Sequence, residues 1–381
     1  MSTGTDTARS VARDALLRID QDEAYANLVV PSMLDRSKLD DRDRRFVTEL
    51  VYGATRMRRA LDTAIEPHVR RELEPVVRAV LRLGAYQLLF AAVAPHAAVS
   101  TSVSLAPKRA QGFVNAVLRR VAENGLPDTP NHGDRLSYPD WIVRRVCDDL
   151  GEDDGLGALE AMNRPARPHQ RADGYIQDPA SGWVAGLVDA HPGHRVADLC
   201  AAPGGKATAI GHLVGDGLVV AADLRPARAR VIAENATTTG TAGSVKTVIA
   251  DGHAPPLRAG AFDRVLVDAP CSGLGVLHRR PDARWRIEAD SVPKLASNGW
   301  RLLQDAAALV APDGLLVYSV CTISRAETID VGEWAVDQLA GFDELAAPGG
   351  PCRPHGHGAI LLPQMAGTDG MYVLRLRRVA P

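Results

Sequence analysis

Residues 194–206 read HRVADLCAAPGGK, a short apolar run that leads directly into a turn of small residues. The run has the length and apolar content of a buried strand. The turn holds Gly204 and Gly205, which allow a backbone to come close to a ligand, and a helical pattern begins after it. This succession of strand, turn and helix predicts the first βα unit of an open α/β sheet.

Further strand and helix patterns alternate downstream of this unit. The helical patterns lie at 205–214, 225–238, 294–311 and 325–340. The predicted strands are 194–200, 218–223, 246–251, 263–268 and 314–320. Such alternation predicts a mainly parallel, Rossmann-like sheet with helices on both faces. Residues 359–363 and 371–379 are predicted to add a hairpin at its edge.

The N-terminal third of the chain has a different pattern. Apolar residues recur every three or four positions within residues 7–122, as in Val11-Ala12-Ala15-Leu16-Ile19, and no β-type alternation occurs there. Residues 123–140 are rich in Pro, Gly, Asn and Asp, which is typical of a linker. We therefore predict a multidomain chain: an all-α bundle at 1–125, a linker at 126–175 and a Rossmann-like domain at 176–381.

Composition limits the class of protein further. The formal net charge is −2, so any contact with nucleic acid must come from local basic patches. The five cysteines include no CxxC pair, which favours reduced thiols over a disulfide framework or a zinc site. The N-terminal MSTGTDTARS is not a signal peptide, and no apolar run approaches the roughly 18 residues of a membrane span. The sequence predicts a cytoplasmic protein without a metal or a membrane partner.

Acidic residues stand at the ends of the predicted strands. Asp223 lies about 20 positions beyond the glycine turn, where a carboxylate suits the two hydroxyls of a ribose. Asp251 follows the third strand and is suited to an adenine amino group. The turn lacks GxGxxG, which argues against a dinucleotide, and GxxxxGK[ST], which argues against a nucleoside triphosphate. S-adenosylmethionine therefore fits best as the cofactor.

Two thiols and a carboxylate follow the fourth and fifth strands. Asp268 and Cys271 belong to DAPCSG, and Cys321 belongs to YSVCT. Carbon 5 of cytosine is too weak a nucleophile to take a methyl group from a sulfonium unaided. A thiolate that adds to carbon 6 turns the ring into an enamine-like nucleophile at carbon 5. We therefore interpret these residues as the site of a cytosine C5 methyltransferase, in which Asp268 near ring nitrogen 3 stabilises the adduct.

The chain resembles the RsmB/Sun family of RNA 5-methylcytosine methyltransferases. DLCAAPGGK, DAPCSGLG and YSVCT are similar to the family's cofactor loop and its two cysteine motifs, and GTDG at 367–370 is similar to its C-terminal signature. LRLGAYQLLF and FVNAVLRRV are similar to the NusB-like RNA-binding domain that precedes the catalytic domain in the RsmB branch. The resemblance implies Cys321 as the nucleophile, Cys271 as the thiol that helps to release the product and Asp268 as the acid that contacts the base. It also implies these cofactor contacts: Cys200, Ala201, Ala202, Pro203, Gly204, Gly205, Lys206, Asp223, Asp251 and Asp268.

The chain departs from the family between Asn163 and Ile176. The family places several dozen residues there, as a small α/β module that helps to hold RNA, and only a short tether remains here. Residues 126–175 are thus expected to hold a remnant of that module. Basic residues between the two cysteine motifs are candidates for RNA contacts. These are Arg279, Arg280, Arg284 and Arg286.

The resemblance to the RsmB branch implies small-subunit ribosomal RNA as the substrate. The chain is expected to act as a monomer. Transfer RNA remains an alternative substrate. A second alternative is an RNA-binding ribosome-assembly factor whose catalysis has lapsed with the missing module. A third is an amino-group methyltransferase, which would need no thiol and whose usual Asn- or Asp-Pro-Pro-aromatic motif the segment DAPC does not match.

Overall fold

A computed structural model describes residues 7–22 and 24–379 of the chain. The contacts divide these residues into two compact units. The first unit comprises the described residues up to Arg144, together with Asn163–Pro165 and Leu277–Arg286, and the second comprises the rest. The prediction on the polar N-terminal stretch falls partly on residues 1–6, which lie outside the described residues. Among the described residues, no helix is both long and apolar enough to cross a membrane.

The first unit is helical, and local sequence signals set where its helices begin. Thr7 accepts a hydrogen bond from the Ser10 amide (3.2 Å), and Asp40 accepts one from the Asp43 amide (2.8 Å), so both cap a helix N-terminus. The helices are α1 (Ala8–Gln21), α2 (Ala26–Arg36), α3 (Asp41–Arg56), α4 (Arg58–Ile65), α5 (Pro75–Leu89), α6 (Pro95–Leu105), α7 (Gln111–Asn124), α8 (His132–Leu136) and the start of α9 (Asp140–Leu150). Short 3₁₀ turns lie at Glu66–His68, Lys108–Ala110 and Pro281–Trp285. The apolar faces of α1 to α7 meet in one core, which includes Leu50, Leu61, Leu81 and Leu118.

The second unit is a sheet covered by helices on both faces. Its helices are the rest of α9, α10 (Glu152–Ala161), α11 (Pro179–Leu187), α12 (Gly205–Leu213), α13 (Pro226–Thr238), α14 (Ser291–Ala307), α15 (Ile329–Gln338) and α16 (Pro363–Ala366), with a 3₁₀ turn at Arg325–Glu327. Its strands are β1 (Arg195–Asp198), β2 (Leu218–Asp223), β3 (Val245–Ile249), β4 (Phe262–Asp268), β5 (Val310–Val320), β6 (Phe342–Glu344), β7 (Arg353–His355), β8 (Gly358–Leu361) and β9 (Met371–Arg378).

The strand order is β3-β2-β1-β4-β5-β9-β8-β7, with β6 also paired to β9. The first five strands of this order are parallel, and β9 runs antiparallel to β5. Alternate residues of one strand enter separate cores: Leu266 packs with α11, α12 and α13, whereas Val265 and Val267 pack with α14 and α15. Because both faces are buried, the central strands are almost continuously apolar, as the sequence indicated.

The predicted fold, an all-α domain followed by a Rossmann-like domain, is confirmed, and so is the hairpin, since β8 pairs with β9. The segment 126–175, predicted as a linker with the remnant of a module, contains the helices α8, α9 and α10. The side chain of Asn131 caps α8 through the Asp134 amide (3.0 Å), which the polar composition of this segment did not indicate. The predicted boundary of 176–381 also differs from the compact units, because Leu277–Arg286 belongs to the helical unit.

Candidate active site

The parallel strands bring their carboxyl ends to one edge of the sheet, where ligands bind in open α/β folds. The small-residue turn follows β1, and Asp223 is the last residue of β2. Asp268 is the last residue of β4, and Cys321 directly follows β5. The topology therefore gathers the predicted site residues at one edge.

Residues 200–206 form the turn between β1 and α12, and its glycines are required by geometry. Gly204 has a φ of 106°, and a Cβ atom there would lie 3.2 Å from Ile232 Cα. A Cβ atom on Gly205 would come within 2.9 Å of Gln177 Nε2. Side chains at these two positions would therefore strain or displace the turn. Gly205 also begins α12, which leaves the first amides of that helix available to a ligand.

Three carboxylates surround this turn in different states. Asp223 accepts a hydrogen bond from the Arg225 amide (3.0 Å), and Asp251 accepts one from the His253 amide (3.0 Å). Asp198 is fully buried, and among the described residues no side chain donates a hydrogen bond to its carboxylate. Burial, with the nearby Asp268 charge, raises the pKa of Asp198 to about 7. A buried acid in this state beside a glycine turn fits a ligand that brings a positive charge, as the sulfonium and ammonium of S-adenosylmethionine do.

The two predicted thiols lie side by side. The Sγ atoms of Cys271 and Cys321 are 3.4 Å apart, although the residues are fifty positions apart in sequence. The hydrogen bond that the Cys271 thiol donates lowers the pKa of Cys321, and the Lys206 charge acts in the same direction. The same bond and burial raise the pKa of Cys271. The pair therefore favours a thiolate at Cys321 and a neutral thiol at Cys271.

Asp268 lies beside the thiols in an ion pair. Lys206 Nζ is 2.8 Å from Asp268 Oδ2, and the Ser319 hydroxyl donates to Asp268 Oδ1 (2.7 Å). Burial is the largest single influence on the pKa of Lys206 and acts to lower it. The charge and hydrogen bond of Asp268, together with the charges of Cys321 and Asp198, outweigh burial, and the pKa of Lys206 is raised. This Lys206–Asp268 ion pair links the turn at residues 200–206 to the end of β4. Ser319 was not among the residues that the sequence singled out.

Glu327 is a second acid that sequence reasoning missed. It is buried, and its carboxylate accepts hydrogen bonds from the Ser272 amide (2.7 Å), the Ser272 hydroxyl (2.5 Å) and the Thr322 hydroxyl (3.0 Å). Ser272 follows one thiol and Thr322 follows the other. An acid six positions after Cys321 was the only signal for it in the sequence.

The short segment between Asn163 and Ile176, called the tether above, includes a small hairpin beside the glycine turn. Within residues 169–177, the Arg171 amide donates to the Tyr175 carbonyl (2.9 Å). The Arg171 guanidinium donates to the carbonyl of Gly205 (2.6 Å) and to the hydroxyl of Thr208 (3.1 Å). Asp173 pairs with the same guanidinium, which lowers the pKa of Asp173 to about 2. The tether thus holds the first turn of α12.

This contact predicts that Arg171→Ala weakens cofactor binding. Without the guanidinium, the Gly205 carbonyl loses its charged donor and the turn loosens, so we expect an affinity loss of about tenfold or more. Calorimetric titration with S-adenosylhomocysteine measures it. Arg167→Ala, an exposed arginine of the same tether, is the matched control. Parental affinity in a folded Arg171→Ala variant would show that the hairpin does not organise the turn.

One of the predicted RNA contacts is corrected by the structure. Arg284 is fully buried within the helical unit, with its guanidinium 3.8 Å from the centre of the Tyr138 ring. Its Nη1 donates to Asn163 Oδ1 (2.7 Å) and to the Arg56 carbonyl (3.2 Å). Burial lowers the pKa of Arg284 to about 10. Arg284 therefore holds the unit together and is not accessible to RNA.

The other three arginines of this segment differ in exposure. Arg286 is half-buried, donates to the Ala24 carbonyl and lies 4.4 Å from the centre of the Tyr25 ring, so it is committed mainly to packing. Arg279 and Arg280 are exposed. An RNA contact stays a prediction for these two residues.

Comparison with known proteins agrees with this geometry. Residues 185–377 match the family described as 16S rRNA methyltransferase RsmB/F, and residues 6–123 match the NusB family. The chain is 35% identical, over 414 aligned positions, to the ribosomal RNA small subunit methyltransferase B of Thermus thermophilus, covering 100% of this chain and 99% of that protein. It is 28% identical, over 433 positions, to the protein of the same name from Klebsiella pneumoniae, covering 97% of each. Both alignments are longer than the 381 residues of this chain, so both relatives contain residues that it lacks.

A solved structure supports the fold. The crystal structure of PH0851 superposes with a TM-score of 0.80 at 20% identity, over 99% of this chain and 100% of that one. Together with the two family matches, these similarities decide the classification. The chain belongs to the RsmB/F family of methyltransferases, with an N-terminal NusB domain, and its methyl donor is S-adenosylmethionine.

Proposed function

We propose that the chain methylates carbon 5 of a cytosine in small-subunit ribosomal RNA, with Cys321 as a covalent nucleophile. The observation that carries this proposal is the 3.4 Å contact between Cys271 and Cys321 beside the Lys206–Asp268 pair. A methyltransferase that acts on an oxygen or an amino nitrogen needs no thiol, because those atoms carry lone pairs of their own. A pair of thiols at the cofactor edge is instead what attack at a carbon atom requires.

Cys321 begins the reaction as a thiolate. Its sulfur forms a bond to carbon 6 of the cytosine, and the electron pair of the C5–C6 double bond becomes available at carbon 5. Bound S-adenosylmethionine supplies the methyl group as an electrophile. Asp268 keeps free lone pairs in its ion pair with Lys206, so it accepts a hydrogen bond from the protonated edge of the ring and stabilises the adduct.

Cys271 completes the reaction. Its own proton first passes to solvent, and the resulting thiolate takes the proton from carbon 5. The electrons of that C–H bond restore the C5–C6 double bond, and the bond between carbon 6 and the sulfur of Cys321 breaks. Cys321 leaves as a thiolate, and Cys271 is again the neutral thiol with which the cycle began.

The acids around the turn fit the cofactor. In this proposal Asp223 accepts from the ribose hydroxyls, Asp251 accepts from the adenine amino group, and residues 200–206 surround the methionine end. The buried carboxylate of Asp198, to which no side chain of the described residues donates, would meet the cofactor's ammonium group. Lys206 would act through Asp268, with which it pairs.

Ribosomal RNA is proposed as the substrate because the two relatives described above are named for it. Arg279 and Arg280 are exposed and would contact RNA phosphates. The cytosine must be unpaired or flipped out of a helix to reach a thiol. A cytoplasmic location and a monomeric state stay predictions.

The proposal is tested with S-adenosylmethionine labelled in the methyl group. The full chain is incubated in parallel with unmodified small-subunit ribosomal RNA and with a transfer RNA pool, and the nucleosides are then separated. We expect label in 5-methylcytidine from the ribosomal RNA. Label in 5-methylcytidine from the transfer RNA alone would overturn the substrate, and label in another nucleoside would overturn the chemistry. No label from a chain that binds the cofactor would favour the lapsed assembly factor.

A further inference from the structure

Glu327 bridges the two loops that carry the thiols. One carboxylate oxygen accepts a hydrogen bond from the amide of Ser272 (2.7 Å), and the other accepts one from the Ser272 hydroxyl (2.5 Å). Ser272 directly follows Cys271. The second oxygen also accepts from Thr322 (3.0 Å), next to Cys321. The two hydroxyls also contact each other (2.8 Å), and the Gly275 amide donates to the Cys321 carbonyl (3.1 Å). Glu327 adds three hydrogen bonds, all accepted by one buried group, directly beside the two cysteines.

Other hydrogen bonds, which do not involve the Glu327 side chain, hold the backbone of the Arg325–Glu327 turn. The Tyr318 hydroxyl donates to the Glu327 carbonyl (3.0 Å), and Asp149 accepts from the Arg325 amide at the start of the same 3₁₀ turn (2.9 Å). Truncation of the side chain should therefore leave the turn in place while it releases the two cysteine loops.

The geometry of these contacts indicates which replacement can take the place of the carboxylate. Glu327 Oε2, Ser272 Oγ and Thr322 Oγ1 contact one another at 2.5, 2.8 and 3.0 Å. A hydroxyl can rotate, so it can donate to a neighbour or accept from one. The amide of glutamine keeps one oxygen for the Ser272 amide, and its nitrogen can donate to the hydroxyl oxygens. Glutamine should therefore keep the two loops linked, whereas alanine should not.

We infer that Glu327 is a positioning residue that sets the distance between the two catalytic thiols by holding Ser272 and Thr322 together. The catalytic consequence of this inference rests on the proposed function. The distance between the two thiols does not depend on the proposed function, because it is a property of the chain without RNA. The two parts are therefore tested by separate measurements.

The spacing is tested by oxidation with diamide, a diazene that takes one hydrogen from each thiol and becomes a hydrazine while the two sulfurs join. The Cys271–Cys321 disulfide is followed by peptide mass spectrometry of the full chain. We expect Glu327→Ala to slow its formation by about tenfold or more, because loosened loops sample the contact less often. Glu327→Gln should form it at nearly the parental rate. Glu333→Ala, which removes an exposed acid of α15, is the matched control.

The catalytic part is tested with RNA that contains 5-fluorocytidine, whose fluorine cannot leave as a proton does, so the covalent adduct accumulates. We expect Glu327→Ala to lower the rate of adduct formation on the order of 10²-fold, since a displacement of about 1 Å can cost that much. The KM for S-adenosylmethionine should not change, and Glu327→Gln should restore the rate. If Glu327 had a purely structural role, its loss would lower the rate of adduct formation and would also weaken cofactor binding, so the KM for S-adenosylmethionine would rise.

The outcomes separate the two proposals. If the parent forms the disulfide but no RNA adduct, the proposed cytosine chemistry fails and the positioning role of Glu327 still stands. If folded Glu327→Ala forms the disulfide at the parental rate, the positioning role is wrong. Should Glu327→Ala not fold, the double variant Ser272→Ala/Thr322→Val removes the hydroxyl partners instead and is expected to slow the disulfide in the same way.

Discussion

Replacement of Cys321 by alanine is expected to lower the methylation rate by at least about 10⁴-fold, as loss of a covalent nucleophile does in other enzymes. The methyl group of alanine cannot add to carbon 6, so carbon 5 of the cytosine stays unreactive toward the cofactor. No neighbouring thiol should take over. Cys271 is 3.4 Å away, but it follows a different strand and approaches the base from another position. The measurement is single-turnover transfer of labelled methyl to RNA.

Two controls make this result specific. Cofactor affinity of Cys321→Ala should equal that of the parent, because the thiol is not among the groups assigned to the cofactor. Cys352→Ala should keep full activity, since the thiol of this half-buried cysteine donates to the Pro348 carbonyl (3.1 Å) and the residue directly precedes β7, at the antiparallel end of the sheet. If Cys321→Ala methylates RNA at a rate close to the parent's, the nucleophile has been assigned to the wrong residue.

The strands that position the site were predictable because each one is a short apolar run. The predicted ends at Asp223 and Asp268 agree with the structure, whereas β1 ends at Asp198, two residues before the predicted end. Two short strands of the antiparallel part, Phe342–Glu344 and Arg353–His355, were not predicted. Each has only three residues and pairs along one short stretch, so neither shows a period of alternation.

Residues whose environment depends on distant partners could not be placed from the sequence. Arg284 stands among other arginines, a pattern typical of an exposed surface, yet Tyr138 and Asn163 bury it. Glu327 is fifty-five positions from Ser272, and only the pairing of β4 with β5 brings the two together. Motif spacing predicts which loops meet at the carboxyl ends of the parallel strands. It does not predict which acid holds those loops together.

Replacement of Cys271 by alanine is expected to trap RNA on the protein. In the free chain, the hydrogen bond to Cys321 and burial keep Cys271 a neutral thiol, because they raise its pKa. Once Cys321 is bonded to carbon 6, its sulfur carries no negative charge, and the strongest cause of that raised pKa disappears. Cys271 can then lose its own proton and accept the one from carbon 5. Without Cys271, methyl transfer still occurs, but elimination of Cys321 stalls.

We therefore expect Cys271→Ala to turn over about 10²–10⁴ times more slowly, the range that general acid–base groups contribute. A methylated protein–RNA complex should survive denaturing electrophoresis. The double variant Cys271→Ala/Cys321→Ala should give no such complex, which ties the trapped bond to Cys321. A Cys271→Ala variant that releases 5-methylcytidine RNA at the parental rate would show that another base, or water, takes the carbon 5 proton. The 3.4 Å contact between the sulfurs would then serve only to lower the pKa of Cys321.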